Sequence, residues 1–510
     1  MLTTALCGAV VMVIEVLGSK VVSPFFGVSL FVWTSMIAVT LGALSLGYAL
    51  GGVLADRKSD PLGLYAIILG AGVLVLLVPG LKGPVLKSCV GLGLRAGSFA
   101  SALGLFFPPL LLLGCTSPYV VRLAAREASR LGRTVGLFYA VSTLGSLAGT
   151  LLAGFVLLAY FRVDRIFQFL GASLIVVAAA YFLLFRRRLA AAGCLLLPLL
   201  IQPPARTHEK VLANGTTVTE VFAQDGFYGN VKVLDYSYGE KRIRELTIDG
   251  LIQSGMDLRS GLSVYAYPYL LELLPYGTNP TGRRCLVLGL GAGIVPMWYE
   301  ARGVRTDVVD IDPRIPGVAQ RYFGFRAPGG VVISDARCYL RGTHERYDYI
   351  IVDVANGDWA PAHILSLETF RLMRERLSDG GIVAINLIGS LRDHPLMTAS
   401  VVRTLGLVFG TVRTYASVDP EKGVDVQNVE ILAYDDRAMA FDPGRVAGFP
   451  IHAMVDPAIR DVRGRELAFP GATSGMILED GFNPVDFYDL PVKESIRREL
   501  LSYTDWDMLM

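Results

Sequence analysis

Residues 285–314 read CLVLGLGAGIVPMWYEARGVRTDVVDIDPR. The opening run, 285–288, is apolar on both faces, as a central parallel strand is. Gly289, Gly291 and Gly293 follow and leave a strand-to-helix turn free of side chains. A helical stretch then leads to a second apolar strand, which ends on Asp310. Strand, glycine turn, helix, strand and terminal acid, in that order, form one unit of a doubly wound α/β domain.

Working downstream, GVVISDA supplies a third strand and YDYIIVDV a fourth. The helix SLETFRLMRERLS precedes a fifth strand, GGIVAINLI, and TVRTYASV with NVEILAYDD supplies closing antiparallel strands. This alternation predicts a Rossmann-like sheet of the class I methyltransferase type. Upstream, TVTEVFAQDGFYGNVKVLDY and RIRELTIDGLIQS alternate with period two and are broken by turn residues, which predicts a small antiparallel β unit. LSVYAYPYLLELLPYG then reads as a helix ending near Pro275 or Gly277.

The first two hundred residues are a different object. Residues 1–205 carry a net charge of +10 and the remainder −8. The 53% hydrophobic content is concentrated in that basic half. Crossing a bilayer takes about 20 apolar helical residues, and candidate spans lie at 3–22, 29–54, 61–79, 98–121, 135–160 and 166–185. Gly42, Ser45, Gly145 and Gly149 let helices approach closely. Glu15 and Lys20, in or near the first span, are expected to face each other, a cavity or the interface. Lys and Arg number 9 on the N-terminal side of these spans and 6 opposite, which puts the N-terminus in the cytoplasm. Segment 189–204 has a short apolar core and reads as interfacial, so the C-terminal half is expected to be cytoplasmic.

The domains expected are therefore 1–188, a multi-pass transmembrane domain of about six spans; 189–217, an interfacial segment and linker; 218–277, the β unit; and 278–510, the Rossmann-like domain with its tail. The six cysteines show neither CxxC nor Cys/His spacing, so no structural zinc or disulfide framework is expected and no metal site is read. The charge distribution lacks the footprint of a nucleic-acid binder.

The candidate site gathers at the carboxyl ends of the strands, where open α/β sheets bind ligands. Gly289, Gly291 and Gly293 let a ligand approach the backbone. Asp310 suits ribose hydroxyls. Asp335 and Ala336, after the third strand, suit an adenine amino group, so the three elements together favour an adenosyl ligand. Asp353 ends the fourth strand and faces that ligand; Asp358 and His363 follow on the loop and helix start beyond it.

These residues resemble the spermidine synthase (polyamine aminopropyltransferase) family over roughly 219–391. LTIDGLIQS is similar to the family's L-x-L-D-G-x-x-Q hairpin, which carries Gln253 over. SVYAYPYL resembles its E-F-x-Y-H-E segment, which assigns Tyr265 to the family's tyrosine. VLGLGAG, VVDID, SDAR and IIVDV resemble the donor loop, ribose acid, adenine segment and catalytic strand. DVANGDWAPAHIL and LEDGFNPVDFYDL resemble the membrane-fused bacterial branch. The chain departs from the pattern at Ala266, Tyr267, Ala292 and residues 353–357, so the donor contacts carry over and the acceptor pocket is rewritten.

The resemblance implies alkyl transfer from decarboxylated S-adenosylmethionine to an amine, with release of methylthioadenosine. Asp353 and Tyr265 would be catalytic, and Gln253, Tyr265, Asp358 and His363 would bind the acceptor. No permanently bound cofactor is implied, and the family's β unit commonly contributes to homodimers. Two other readings stand beside it. One is methyl transfer from intact S-adenosylmethionine to a membrane-proximal acceptor, which the loss of an acid at Ala292 favours. The other is a ligand sensor or transporter, for which GGVLADRK faintly resembles a transporter loop. Localisation in the cell inner membrane, with lipid as a partner, follows from the spans.

Overall fold

The computed structural model describes all residues except 28–29, 58, 125–130, 187–188, 204–207, 327–328, 355–360, 421–424, 463–465, 468, 470–473 and 504–510. The candidate Asp358 therefore lies outside the described residues. The chain divides into two compact units, one built on Met1–Thr207 with Gln224–Asn230, the other on His208–Ala223 and Val231–Thr504.

Long helices build the first unit: Leu2–Phe26, Leu30–Arg57, Pro61–Cys89, Gly93–Ala124, Leu131–Leu152 and Val163–Arg186. By length and composition, the five stretches Leu2–Phe26, Leu30–Arg57, Pro61–Ala124, Gly132–Tyr160 and Val163–Arg186 are apolar enough to cross a membrane, and Pro61–Ala124 holds two helices joined at Val90–Leu92. Small residues set the spacing where expected at one seam. A Cβ on Gly149 would stand 2.6 Å from the Ala9 carbonyl oxygen, so only glycine permits this approach. Gly42 meets nothing within 4 Å and plays no such part.

Buried charge in this unit is paired. Lys82 Nζ lies 2.6 Å from Asp164 Oδ1, and Arg162 stands 3.8 Å from the other oxygen. Lys20 donates to the Phe227 carbonyl at 2.6 Å, in a segment that belongs to this unit. Segment 189–204 forms a 3₁₀ run, Leu189–Leu196, and a single turn, Leu197–Leu200, each short of the ~20 residues a crossing needs.

The second unit contains two sheets. Strands β1 (Glu209–Val211), β2 (Thr217–Gln224), β3 (Val231–Tyr238), β4 (Lys241–Ile248) and β5 (Leu251–Asp257) lie in sequential order. Asp249 and Gly250 join β4 to β5 with φ of 47° and 80°, the left-handed pair that a tight hairpin requires.

The larger sheet comprises β6 (Arg284–Leu288), β7 (Arg305–Asp310), β8 (Val331–Ile333), β9 (Tyr347–Val352), β10 (Leu377–Ser390), β11 (Thr411–Ala416) and β12 (Val426–Tyr434). Their order is β11-β12-β10-β9-β6-β7-β8. The strands from β6 to β10 pair in parallel, and β12 returns antiparallel between β10 and β11. This is the Rossmann-like, methyltransferase-type sheet. Apolar cores cover both faces, which is why Cys285 to Leu288 are fully buried. The chain moves outward from β6 in one direction through β7 and β8, then restarts on the other side at β9. The crevice between β6 and β9 is therefore the switch point where ligands bind in such sheets.

Candidate active site

The switch point brings Gly289 against Asp353. Gly289 has φ of 92°, and a Cβ there would collide with the Asp353 backbone carbonyl. Two constraints, conformation and contact, thus demand glycine. Asp353 N–H in turn donates to the Leu288 carbonyl at 2.9 Å, fixing the end of β9 beside β6.

Asp310 braces the glycine turn. One carboxylate oxygen accepts the Leu290 N–H at 2.9 Å and the other the Asp312 N–H at 2.8 Å. Burial pushes its carboxyl up to about 6 despite those two N–H groups. The second contact with the turn comes from the β unit. Ser254 Oγ accepts the Ala292 N–H at 3.3 Å, and Ala292 is fully buried.

Asp335 caps the helix Ala336–Gly342, accepting the Cys338 N–H at 2.9 Å. Its other oxygen meets His363 Nε2 at 2.8 Å, so the structure brings these two candidates together. Burial raises the Asp335 carboxyl, but the contacts with His363 and Cys338 outweigh it and leave the group below its ordinary value. Arg337, next along, grips Asp480 of the C-terminal tail, and Asn483 of that tail donates to the Ala362 carbonyl at 2.7 Å. The tail thereby fixes the segment that carries His363.

Asp353 accepts a hydrogen bond from Asn386 Nδ2 at 2.8 Å. Burial pushes its carboxyl up to about 6, and the Asn386 amide offsets only part of this. Asn386 accepts from Asn428 Nδ2 at 2.9 Å, so two amides orient the acid. Such an acid is ionised at neutral pH yet more basic than an ordinary aspartate, which suits proton acceptance.

The two tyrosines part company. Tyr265 donates to Glu245 within the β unit, where burial holds the Glu245 carboxyl up despite that donor. Tyr267 donates to the Gln253 carbonyl at 2.6 Å, with Ser254 Oγ at 3.4 Å. Burial first, then the charge of Asp353, pushes the Tyr267 phenol far up. Tyr267, a phenol that feels the charge of Asp353, lies two residues beyond Tyr265, the one that the motif resemblance selects. The signal for it was Pro268, which marks the first turn of the helix Tyr267–Thr278. Gln253 joins this network through its backbone carbonyl, while its side chain makes a long 3.4 Å bond to Leu251 O.

Ser254, Asn386, Asn428 and Glu430 were also missed. Polar side chains at Gln427, Asn428 and Glu430 interrupt the strand VQNVEILAY, and that interruption was the available sign. Among the described residues, no group of three or more His, Cys, Asp or Glu side chains is arranged to hold a metal. Together the site offers a glycine turn with a braced acid, a histidine–aspartate pair and a poised carboxylate facing a phenol.

No family model matches the chain. N-terminal histidine N-methyltransferase of Emericella nidulans is 32% identical over 162 residues, 31% of this chain and 29% of that protein. Polyamine aminopropyltransferase of Vibrio vulnificus is 31% identical over 145 residues, 26% of this chain and 48% of that protein. The chain thus spans about half or less of the length of these curated relatives. A solved probable spermidine synthase of Corynebacterium glutamicum is similar at a TM-score of 0.41 and 18% identity, covering 51% of this chain and 97% of that one. Over part of its length the chain is thus similar to polyamine aminopropyltransferases, and it also carries a long N-terminal helical region.

Proposed function

We propose that the C-terminal unit moves an aminopropyl group from decarboxylated S-adenosylmethionine to an amine. The observation that carries this reading is Asp353, held by Asn386 at the switch point against Gly289 with its carboxyl raised to about 6. An alkylamine of pKa ~10 arrives protonated at neutral pH. Asp353 accepts that proton, and the freed nitrogen attacks the carbon bonded to the positively charged sulfur. The carbon–sulfur bond breaks with its electron pair going to sulfur, which leaves as the neutral thioether methylthioadenosine. Alignment of amine and carbon supplies much of the acceleration.

The donor nucleoside lies along the glycine turn, with Asp310 at its ribose and the Asp335–His363 pair at its adenine. Tyr267, Tyr265 and Gln253 belong to the acceptor side, and Asp358 is assigned there by resemblance alone. The test incubates the purified full chain with each sulfonium donor and a panel of amines and membrane extract, and reads products by mass spectrometry. The reading predicts methylthioadenosine and an aminopropylated amine. A chain that binds neither an adenosyl sulfonium nor methylthioadenosine overturns it.

A second reading rests on Ala292, buried where an acid would hold the donor's ammonium group. In it the chain moves a methyl group from intact S-adenosylmethionine to a membrane-proximal acceptor. Calorimetry with the two donors separates the readings.

We further propose that the helical unit lies in the cell inner membrane, with the C-terminal unit cytoplasmic. The support is the mean hydropathy of its five stretches, 1.8 to 2.4, and the bias of basic loops. Protease accessibility in oriented vesicles decides it, and protection of the C-terminal unit on the outer face is the expected result. A homodimer through the β unit is the assembly we expect, and light scattering in detergent reads it.

A further inference from the structure

Glu15 sits at the middle of the helix Leu2–Phe26 and is partly buried. Unlike Asp164, it is answered by nothing: among the described residues no hydrogen-bond donor and no cation acts on its carboxyl. Lys20, the nearest basic residue in sequence, turns to the Phe227 carbonyl instead. An ionisable side chain at mid-span is costly, and by default it marks a substrate or ion site.

Two neighbouring helices break at its level. A Cβ on Gly145 would collide with the Ala5 carbonyl and one on Gly149 with that of Ala9, so the first helix and Leu131–Leu152 run in parallel, four residues against four. The same register carries Glu15 to Phe155, inside the π turn Ala153–Leu157. There the Leu158 N–H reaches back five residues to the Ala153 carbonyl, out of α-helical step. Against the helix Gly93–Ala124 the order is reversed: the Cys7 thiol hydrogen-bonds with Thr116, and Gly18 stands against Phe106. That antiparallel register brings Glu15 level with Pro108 and Pro109, at the middle of their helix. Proline has no N–H, so the buried Pro109 leaves the Leu105 carbonyl without its helical donor. Glu15 is three residues from Gly18 and seven from Gly8, which stands against Ser142. It therefore lies on the face of its helix between these two neighbours.

We propose that Glu15 binds a protonated amine at the middle of the bilayer, with backbone carbonyls of the π turn and of Leu105 completing the contacts of its ammonium group. This rests on the membrane placement of the helical unit given above. A carboxylate and carbonyls are all acceptors, so the occupant is a positively charged donor. An ammonium group brings three N–H donors, one for each of the three helices that meet here. A calcium ion takes about six to eight oxygens, more than one acid and two interrupted backbones offer. Met12 and Val16, beside Glu15 on its helix, are apolar and partly exposed, and suit a hydrocarbon stem. Interrupted helices that meet at the midplane are how membrane proteins present backbone to a bound ion or substrate.

The experiment measures binding to the purified full chain in detergent by calorimetry, with n-hexylammonium chloride as the probe and hexanol and sodium chloride as controls. Wild type is expected to bind the ammonium and neither control. Glu15→Gln keeps the side-chain volume and is expected to weaken binding about 30-fold, the value of a hydrogen bond to a charged group. Glu15→Asp is expected to retain part of the affinity. Pro109→Ala returns an N–H to the Leu105 carbonyl and is expected to weaken binding about fivefold, the value of a neutral hydrogen bond, without loss of thermal stability. No binding by wild type, undiminished binding by Glu15→Gln, or equal binding of hexanol or sodium overturns the assignment. Alkaline carbonate extraction of membranes tests the placement separately. A chain washed free overturns the placement and the midplane position with it, while the calorimetry still decides the amine site.

Discussion

Asp164 and Glu430 are both acids held inside apolar surroundings, one in each unit, and the two units treat them differently. The helical unit answers Asp164 with Lys82 at 2.6 Å and a second cation, Arg162. The C-terminal unit surrounds Glu430 with amides, a phenol and Asp353, and leaves both its oxygens unmet. A charge that is matched internally holds helices in register. A charge that is left unmatched raises its own pKa and stays ready for a proton or a cationic ligand. The contrast separates an acid answered by cations from one that lies beside another acid.

The strongest way to break it is Asp353→Asn. Replacing a positioned proton acceptor removes about 10²–10⁴-fold of rate, so turnover is expected to fall about 1,000-fold in a full-chain assay, within that same range. Methylthioadenosine affinity, measured by calorimetry, is expected to stay within about threefold, since the nucleoside contacts lie elsewhere. Residual turnover near the wild-type rate would remove Asp353 from the chemistry.

Lys82→Met probes the opposite side of the contrast. It strands Asp164 in a buried setting and is expected to destabilise the helical unit by about 3 kcal/mol, as breaking a buried pair does. Hydrogen exchange in the helix Val163–Arg186 should accelerate accordingly. Replacing both partners, Lys82→Met with Asp164→Leu, is expected to recover most of that loss. A double variant as unstable as the single one would mean that the pair is not an isolated structural unit.

Removing charge from the site should do the reverse. The Asp353 carboxyl rises from 3.8 to about 6 in the folded chain, so the folded state binds more protons than the unfolded state between those values. Stability contributed by that proton is present below pH ~4 and lost as pH rises through ~6. Asp353→Asn is therefore expected to be more stable than wild type at pH 7.5, by about 2 kcal/mol, and to match it near pH 4. Exchange at β6 and β9, measured across that window, checks both the sign and the pH dependence. Equal stability at pH 7.5 would mean that the carboxylate is better solvated than its burial implies.

The glycine-turn side of the candidate site was legible because it is sequential. Gly289, Gly291, Gly293, Asp310 and Asp335 lie at a strand end or within five residues of one, so strand ends and turn chemistry locate them without tertiary information. The side around Asp353 is assembled from distant pieces: the β4–β5 hairpin, the start of the helix Tyr267–Thr278, and two strands paired in opposite directions. Register decides which side chains meet there, and register is invisible in an isolated segment. Asn386 and Glu430 lie 44 residues apart in sequence but opposite each other across β10 and β12. The long apolar helices of the N-terminal half were legible, because hydropathy over ~20 residues is a local signal. Its packing was not: Gly145 and Gly149 meet the first helix, while Gly42 faces open space.

The two tyrosines supply the finest cut, because they lie two residues apart and the motif resemblance selects only Tyr265. Tyr267→Phe loses the bond to the Gln253 carbonyl and the phenol whose ionisation Asp353 opposes, and is expected to lower kcat about tenfold, the value of about one hydrogen bond. Donor affinity should not move, since the glycine turn keeps its Ser254 contact. Tyr265→Phe instead strips a donor from the buried Glu245 and is expected to lower stability by about 1 kcal/mol while leaving kcat within about twofold. The split between kcat and stability matters more than either size, because a tyrosine that merely props the β unit cannot change kcat alone. The opposite pattern, with Tyr265→Phe slow and stable, would return the catalytic phenol to the position chosen by the motif and move the acceptor towards Glu245.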